Sequence, residues 1–162
     1  MRRGGSIGIL LVAIVGVAML TFAAWAPKRL VWNFTPSIPV GLYVIEDRAW
    51  RRGERVALWP SGELLDALRE AGVLREGRML MKRVAAAAGD EVCRYGLQVT
   101  INTSPSAVAR LRGDLPSWSG CIRLTASDVF LLGETENSFD GRYFGVTAAG
   151  DVVGPIRSLL TF

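Results

Sequence analysis

From Ile7 to Ala26 the chain runs for twenty residues without a charge. A helix of that length rises about 30 Å, the thickness of a bilayer's hydrocarbon core. Whatever follows must therefore fold as a body tethered to an apolar rod. A buried soluble helix is the plainer alternative, but a wholly apolar run so near a terminus rarely serves that purpose. A cleavable signal peptide competes, since Ala24-Trp25-Ala26 has the small-x-small form of a cleavage site. The run is long for a signal segment, and Pro27 would sit just after the cut. The reading is an uncleaved anchor over residues 1–28 and one domain over residues 29–162. Arg2 and Arg3 precede the span and Lys28 and Arg29 follow it, so loop charge does not set its orientation.

The net charge is +4, almost all of the cationic side being arginine. Basic chains bind nucleic acid when the charge gathers on a recognisable motif. Here the arginines are scattered, apart from Arg48, Arg51, Arg52 and Arg55, and no such motif is present. A basic surface beside anionic lipid is the better account, and no nucleic-acid partner is expected.

Beyond the anchor, short β-like runs alternate with turn residues. Leu42–Ile45, Arg55–Trp59, Met79–Ala87, Glu91–Tyr95, Gln98–Asn102, Cys121–Leu124, Val129–Gly133 and Val152–Ile156 read as strands, with Gly96 turning a hairpin. Pro60-Ser61-Gly62 stops one strand, and Ser61 is placed to cap a short helix from Glu63 to Ala71 with Leu64, Leu65 and Leu68 on one side. Residues 103–120, rich in Ser, Pro, Gly and Arg, read as an irregular excursion. The expected fold is mainly β with one short helical insertion, on an N-terminal transmembrane helix.

The chain contains no histidine and only two lysines, Lys28 beside the apolar run and Lys82. A Ser-His-Asp triad, a Cys-His pair and a histidine zinc site are thereby excluded. No phosphate-binding glycine loop follows a strand. Lys82 lies in the apolar run Met79-Leu80-Met81-Lys82-Arg83-Val84. A lysine is a base only when neutral, and burial among such neighbours lowers its pKa. An edge-strand lysine with its head in water is the alternative. Ser37, in Thr35-Pro36-Ser37-Ile38-Pro39-Val40-Gly41-Leu42-Tyr43, is held between two prolines that stiffen the backbone on either side. Alone, that turn is weak evidence for a nucleophile. The third polar stretch is Gly133-Glu134-Thr135-Glu136-Asn137-Ser138-Phe139-Asp140-Gly141-Arg142-Tyr143-Phe144-Gly145. In it Ser138 could bond a lysine, and Asp140 and Arg142 could form an ion pair. Cys93 and Cys121 are open to two readings, a bridge or two buried thiols.

Taken in this order behind an apolar segment, these stretches resemble the type I signal peptidase family of Ser-Lys proteases. Ser37-Ile38-Pro39 is similar to the nucleophile motif. Lys82-Arg83-Val84 with Gly89-Asp90 is similar to the general-base strand, and Gly133 to Gly145 resembles the third motif. Thr-Pro-Ser-x-Pro-x-Gly-Leu-Tyr is similar to the conjugal-transfer branch, the TraF peptidases. Glu134 and Gly141 depart from the family's usual Asp and Ser.

The resemblance implies a Ser37–Lys82 dyad, with Thr35 helping to hold the oxyanion, Ser138 orienting the lysine, and Asp140 and Arg142 holding their loop. It implies no cofactor and no metal. It places the domain in the periplasm on the inner membrane, and from that compartment a Cys93–Cys121 disulfide follows. The implied partner is a membrane-inserted pilin precursor of a type IV secretion system, or another secretory preprotein, with pilin cyclisation known in some members. A general signal peptidase is the nearest rival. A LexA-type self-cleaving repressor would need a DNA-binding element where this chain has its apolar segment. A non-enzymatic envelope scaffold would need all three motifs to coincide by chance.

Overall fold

The computed structural model describes residues 4–25, 29–70, 72, 78–110 and 117–162. Helix α1 spans Gly4–Trp25. Strands β1 (Leu30–Asn33), β2 (Gly41–Ile45) and β3 (Arg55–Leu58) come next, followed by helix α2 (Gly62–Glu70). Then come β4 (Leu80–Ala86), β5 (Glu91–Tyr95), β6 (Gln98–Ile101), β7 (Ser104–Val108), β8 (Gly120–Arg123) and β9 (Asp128–Leu132). The short helix α3 (Gly141–Phe144), β10 (Thr147–Ala148), a single 3-10 turn (Ala149–Asp151) and the long β11 (Val152–Thr161) complete the order. The expectation of a mainly β chain with few helices is met.

The strands form two antiparallel sheets. Seven run in the order β1-β2-β11-β3-β4-β9-β10 and four in the order β7-β6-β5-β8. Alternation in β2 follows the strand period, with Gly41, Tyr43 and Ile45 buried and Leu42 and Val44 half-buried. Strand β4 has neighbours on both edges and is buried almost throughout. Its even-numbered residues Leu80 and Val84 join Val56, Leu58, Leu68, Val129, Leu131, Phe139 and Tyr143 in one core. On the other face, Met81 joins Ile38, Tyr43, Ile45, Ala57 and Ile156. A third core, of Ala86, Val92, Val99, Leu124, Phe130 and Leu132, is shared by strands of the two sheets.

Several elements depart from the sequence reading. The excursion at 103–120 contains β7 and the start of β8, while its residues 111–116 lie outside the described ones. Edge pairing to β6 makes a strand of Ser104–Val108 despite its polar composition. Strands β1 and β10 and helix α3 had no sequence expectation, and β11 runs on to Thr161 through Gly154 and Pro155. Ser61 does not cap α2 with its side chain: its hydroxyl donates to Asp151 Oδ1 at 2.7 Å, tying the helix start to the turn before β11.

The expected membrane span falls partly outside the described residues. In α1 the large side chains of Ile9, Leu11, Val12, Ile14, Val15, Val17 and Met19 are exposed. Among the described residues taken alone, no helix is long and apolar enough to cross a membrane. Residues 26–28, with the end of the small-x-small sequence, are outside them.

Candidate active site

Register brings the first two motifs together. Lys82 pairs with Val56 across β3–β4, so its side chain points into the apolar core that Leu80 and Val84 also face. It is 2% exposed. Its Nζ lies 2.9 Å from Ser37 Oγ and 2.8 Å from Ser138 Oγ. Burial lowers the Lys82 pKa from 10.5 to about 8; Asp140 pulls it up and Arg142 pushes it down, both more weakly. A neutral amine in this position can donate to Ser138 and accept the proton of Ser37.

The loop at 133–142 closes against this pair. A Cβ at Gly133 would stand 2.0 Å from Ser138 Oγ, so only glycine lets Ser138 reach the lysine. The Glu134 N–H donates to the Ser37 carbonyl at 2.6 Å, joining the loop to the nucleophile segment. The Glu134 carboxylate takes a fork from Arg55 at 2.7 and 2.8 Å, which gives this departure from the family pattern a local partner. At the other departure, a Cβ on Gly141 would lie 2.7 Å from the Phe130 ring; here the ring occupies the space a side chain would need.

Asp140 and Arg142 are both buried and joined by two short bonds, Nη2 to Oδ2 at 2.6 Å and Nε to Oδ1 at 2.8 Å. Asp140 also accepts from the Gly133 N–H at 2.7 Å and caps α3 through the Arg142 N–H. Arg142 donates onward to the carbonyls of Thr135 and Glu136. The pair thus closes the loop on itself, and neither residue bonds Lys82 directly. Each charge has several hydrogen-bonding partners, which is what a buried pair requires.

Thr35 is exposed on the nucleophile loop. Its hydroxyl lies 3.2 Å from Asn33 Oδ1, to which it donates. Asn33 itself was missed from sequence. It is buried and bonds the carbonyls of Thr35, Ile38 and Pro39. The available signal was an asparagine at the end of an apolar β run, just before a proline-rich loop, where its amide can satisfy loop backbone. Tyr43, fully buried, donates its hydroxyl to the Pro39 carbonyl at 2.7 Å. Arg94 and Trp118 were missed too, and reach the loop from the smaller sheet and its approach. Arg94 donates to the Arg142 carbonyl at 2.7 Å, and Trp118 Nε1 to that of Gly141 at 2.9 Å.

Cys93 and Cys121 stand opposite each other on β5 and β8 and are joined as a disulfide. The one group of clustered metal-ligand types among the described residues is Glu91 with these two cysteines. Both sulfurs are spent on each other, so no thiolate is left there for an ion.

The chain matches the family described as Signal peptidase, peptidase S26 over residues 4–161, and it belongs to that family. Among curated relatives, the plasmid transfer protein TraF of Escherichia coli is 35% identical, over 93% of this chain and 94% of that protein. A probable conjugal transfer protein TraF of Sinorhizobium fredii is 33% identical, over 92% of this chain and 89% of its own length. Among solved structures, a signal peptidase I from Enterococcus faecalis aligns with a TM-score of 0.40 at 16% identity, covering 68% of this chain and 98% of that one.

Proposed function

We propose that this chain is a serine endopeptidase in which Lys82 activates Ser37. The observation that carries the reading is the 2.9 Å approach of the buried Lys82 Nζ to the half-buried Ser37 Oγ. In the first step neutral Lys82 takes the Ser37 proton as Oγ adds to a peptide carbonyl. The resulting ammonium protonates the departing amine, leaving an ester on Ser37. Water then adds with Lys82 again as base, releasing the new carboxyl terminus and restoring Ser37. If a chain's own amine adds instead of water, the product is a ring. The Ser37 N–H and the Thr35 hydroxyl are the groups assigned to the oxyanion. Ser138 fixes the rotamer of Lys82, and the Asp140–Arg142 pair fixes Ser138.

The substrate we propose is a membrane-inserted conjugative-pilin precursor, cut on the periplasmic side of the inner membrane. Support comes from the relatives named for plasmid and conjugal transfer, and from two features that suit a bilayer. One is the uncharged run of Ile7–Ala26. The other is the outer face of β1–β2–β11, where Leu30, Trp32 and Phe34 lie beside Leu42, Val44, Leu160 and Phe162. Trp32 stands 6.3 Å from Phe34 and 6.4 Å from Phe162, an aromatic group of the kind that seats at headgroup level.

The test is co-expression of a conjugative-pilin precursor with the full chain, Ser37→Ala or Lys82→Ala, read by intact mass. Processing is expected to vanish in both variants. A wild-type product one water lighter than the trimmed chain would establish ring closure. Processing that persists in both variants would refute the dyad.

A further inference from the structure

We infer that Asn33 is a positioning residue for this reaction, holding the segment that presents Ser37 and parking the Thr35 hydroxyl beside the site. The inference rests on the Ser37–Lys82 reading. Asn33 ends β1, is 5% exposed, and pairs with Gly41 at the start of β2, so it sits at the neck of the loop that carries Ser37. A primary amide offers two N–H donors and one oxygen with two lone pairs. All are engaged. Nδ2 lies 2.7 Å from the Thr35 carbonyl and 3.0 Å from those of Ile38 and Pro39, so its two hydrogens serve three acceptors. Oδ1 takes the Thr35 N–H and the Thr35 hydroxyl, each at 3.2 Å.

The need for such a hub comes from the sequence. Pro36 and Pro39 have no N–H and limit the hydrogen bonds the loop can make to itself. A side chain inside the neck must then bond the carbonyls on either side of Ser37. Tyr43 shares the task at Pro39 but reaches nothing before Ser37. The bond to Thr35 has a second use. At 3.2 Å it is long for a hydroxyl donor, whose usual span is about 2.7–2.8 Å. It restrains the hydroxyl without holding it tightly, so the proton can turn to a developing oxyanion at small cost.

The full-length protein in detergent, assayed on a pilin precursor, tests this with Asn33→Ala, Asn33→Asp, Thr35→Val, the Asn33→Ala/Thr35→Val double variant and Ser37→Ala. Loss of a single oxyanion donor lowers kcat by about 100-fold or more. Thr35→Val is expected near that value. Asn33→Ala should lower kcat by about 10- to 100-fold with KM within about twofold, the mark of a contribution made in the transition state. The double variant should lose no more than about threefold beyond Thr35→Val alone, because the two act as a unit. The rise of activity with pH should stay near 8, since Asn33 does not touch Lys82. Asn33→Ala with wild-type kcat, or a Thr35→Val loss undiminished in the double variant, overturns the inference. Should Asn33→Ala not fold, Asn33→Asp decides: it keeps the shape and Oδ1 but loses the donors to the loop carbonyls. The same kcat loss supports the role, and wild-type turnover removes it. If Ser37→Ala still cleaves, the dyad falls and this role with it. If Ser37→Ala is dead while Asn33→Ala is normal, only the role of Asn33 falls.

Discussion

The two sheets divide the work differently. The seven-stranded sheet supplies Lys82 from a central strand and Ser37 from the loop between two of its strands. The four-stranded sheet supplies neither. Its contribution is Arg94 on β5, joined by Trp118 just before β8, and both bond carbonyls of α3. Those bonds satisfy backbone at the end of the loop that delivers Ser138. One sheet therefore holds the groups proposed to react, at some cost in stability. The other holds groups that keep a loop in place. A buried lysine works against folding, whereas a disulfide and carbonyl-bonding side chains work for it.

The sharpest test of that division is Lys82→Met. Activity should fall by about 10⁴-fold or more, as when one member of a catalytic unit is removed, yet the fold should gain stability. Unfolded, a lysine keeps its proton to about 10.4; folded, Lys82 releases it at about 8. Below the folded value the native state carries the whole burial penalty. Between the two values the unfolded chain holds more protons, so wild-type stability rises with pH. That difference corresponds to about 3 kcal/mol at most. Denaturant melts from pH 7 to 10 should show that slope in wild type and not in Lys82→Met. A variant less stable than wild type at pH 7 would break the comparison.

Asp140→Ala is expected next, at about 3–5 kcal/mol, because it strands a buried guanidinium. The loss should appear in the urea midpoint. Conservative Asp140→Asn should recover part of it through the Gly133 N–H, and no recovery would mean that charge alone matters. In the small sheet, Cys93→Ser with Cys121→Ser opens a bridge across 28 residues, worth about 3–4 kcal/mol on loop entropy. Melting should move, while the pH at which activity rises should not. A shifted pH limb would show that the small sheet also tunes Lys82. The smallest effect is Trp118→Phe, about 1 kcal/mol from the lost bond to Gly141. Its chemistry should remain near wild type.

The residues proposed to react stand out in the sequence because their chemistry is rare. With histidine absent and one lysine outside the apolar terminus, the proposed base had little competition. Flanking prolines marked the serine, and Gly133 with Ser138 fell within one dense polar run. The central strands β2 to β6, β8 and β9 were legible from alternation and turn residues. Supporting residues were harder to find. Arg94 lies in an ordinary strand, and its role depends on where α3 lands, which no local pattern encodes. Strand β7 has the composition of a loop and owes its form to pairing with β6. Ser61 looks like a helix cap by spacing, but Asp151, distant in sequence, takes its hydroxyl. Where a role is set by a distant partner, local propensity loses to tertiary contact.

The apolar outer face of β1–β2–β11 has a practical consequence for handling the protein. Phe162 is 80% exposed and Leu30 62%, and contiguous faces of this kind promote self-association in water. Deleting α1 to obtain a convenient fragment would leave that face intact. Such a fragment should need detergent or lipid to remain dispersed, and polar substitutions at Trp32 and Phe162 are the simplest route to a well-behaved sample.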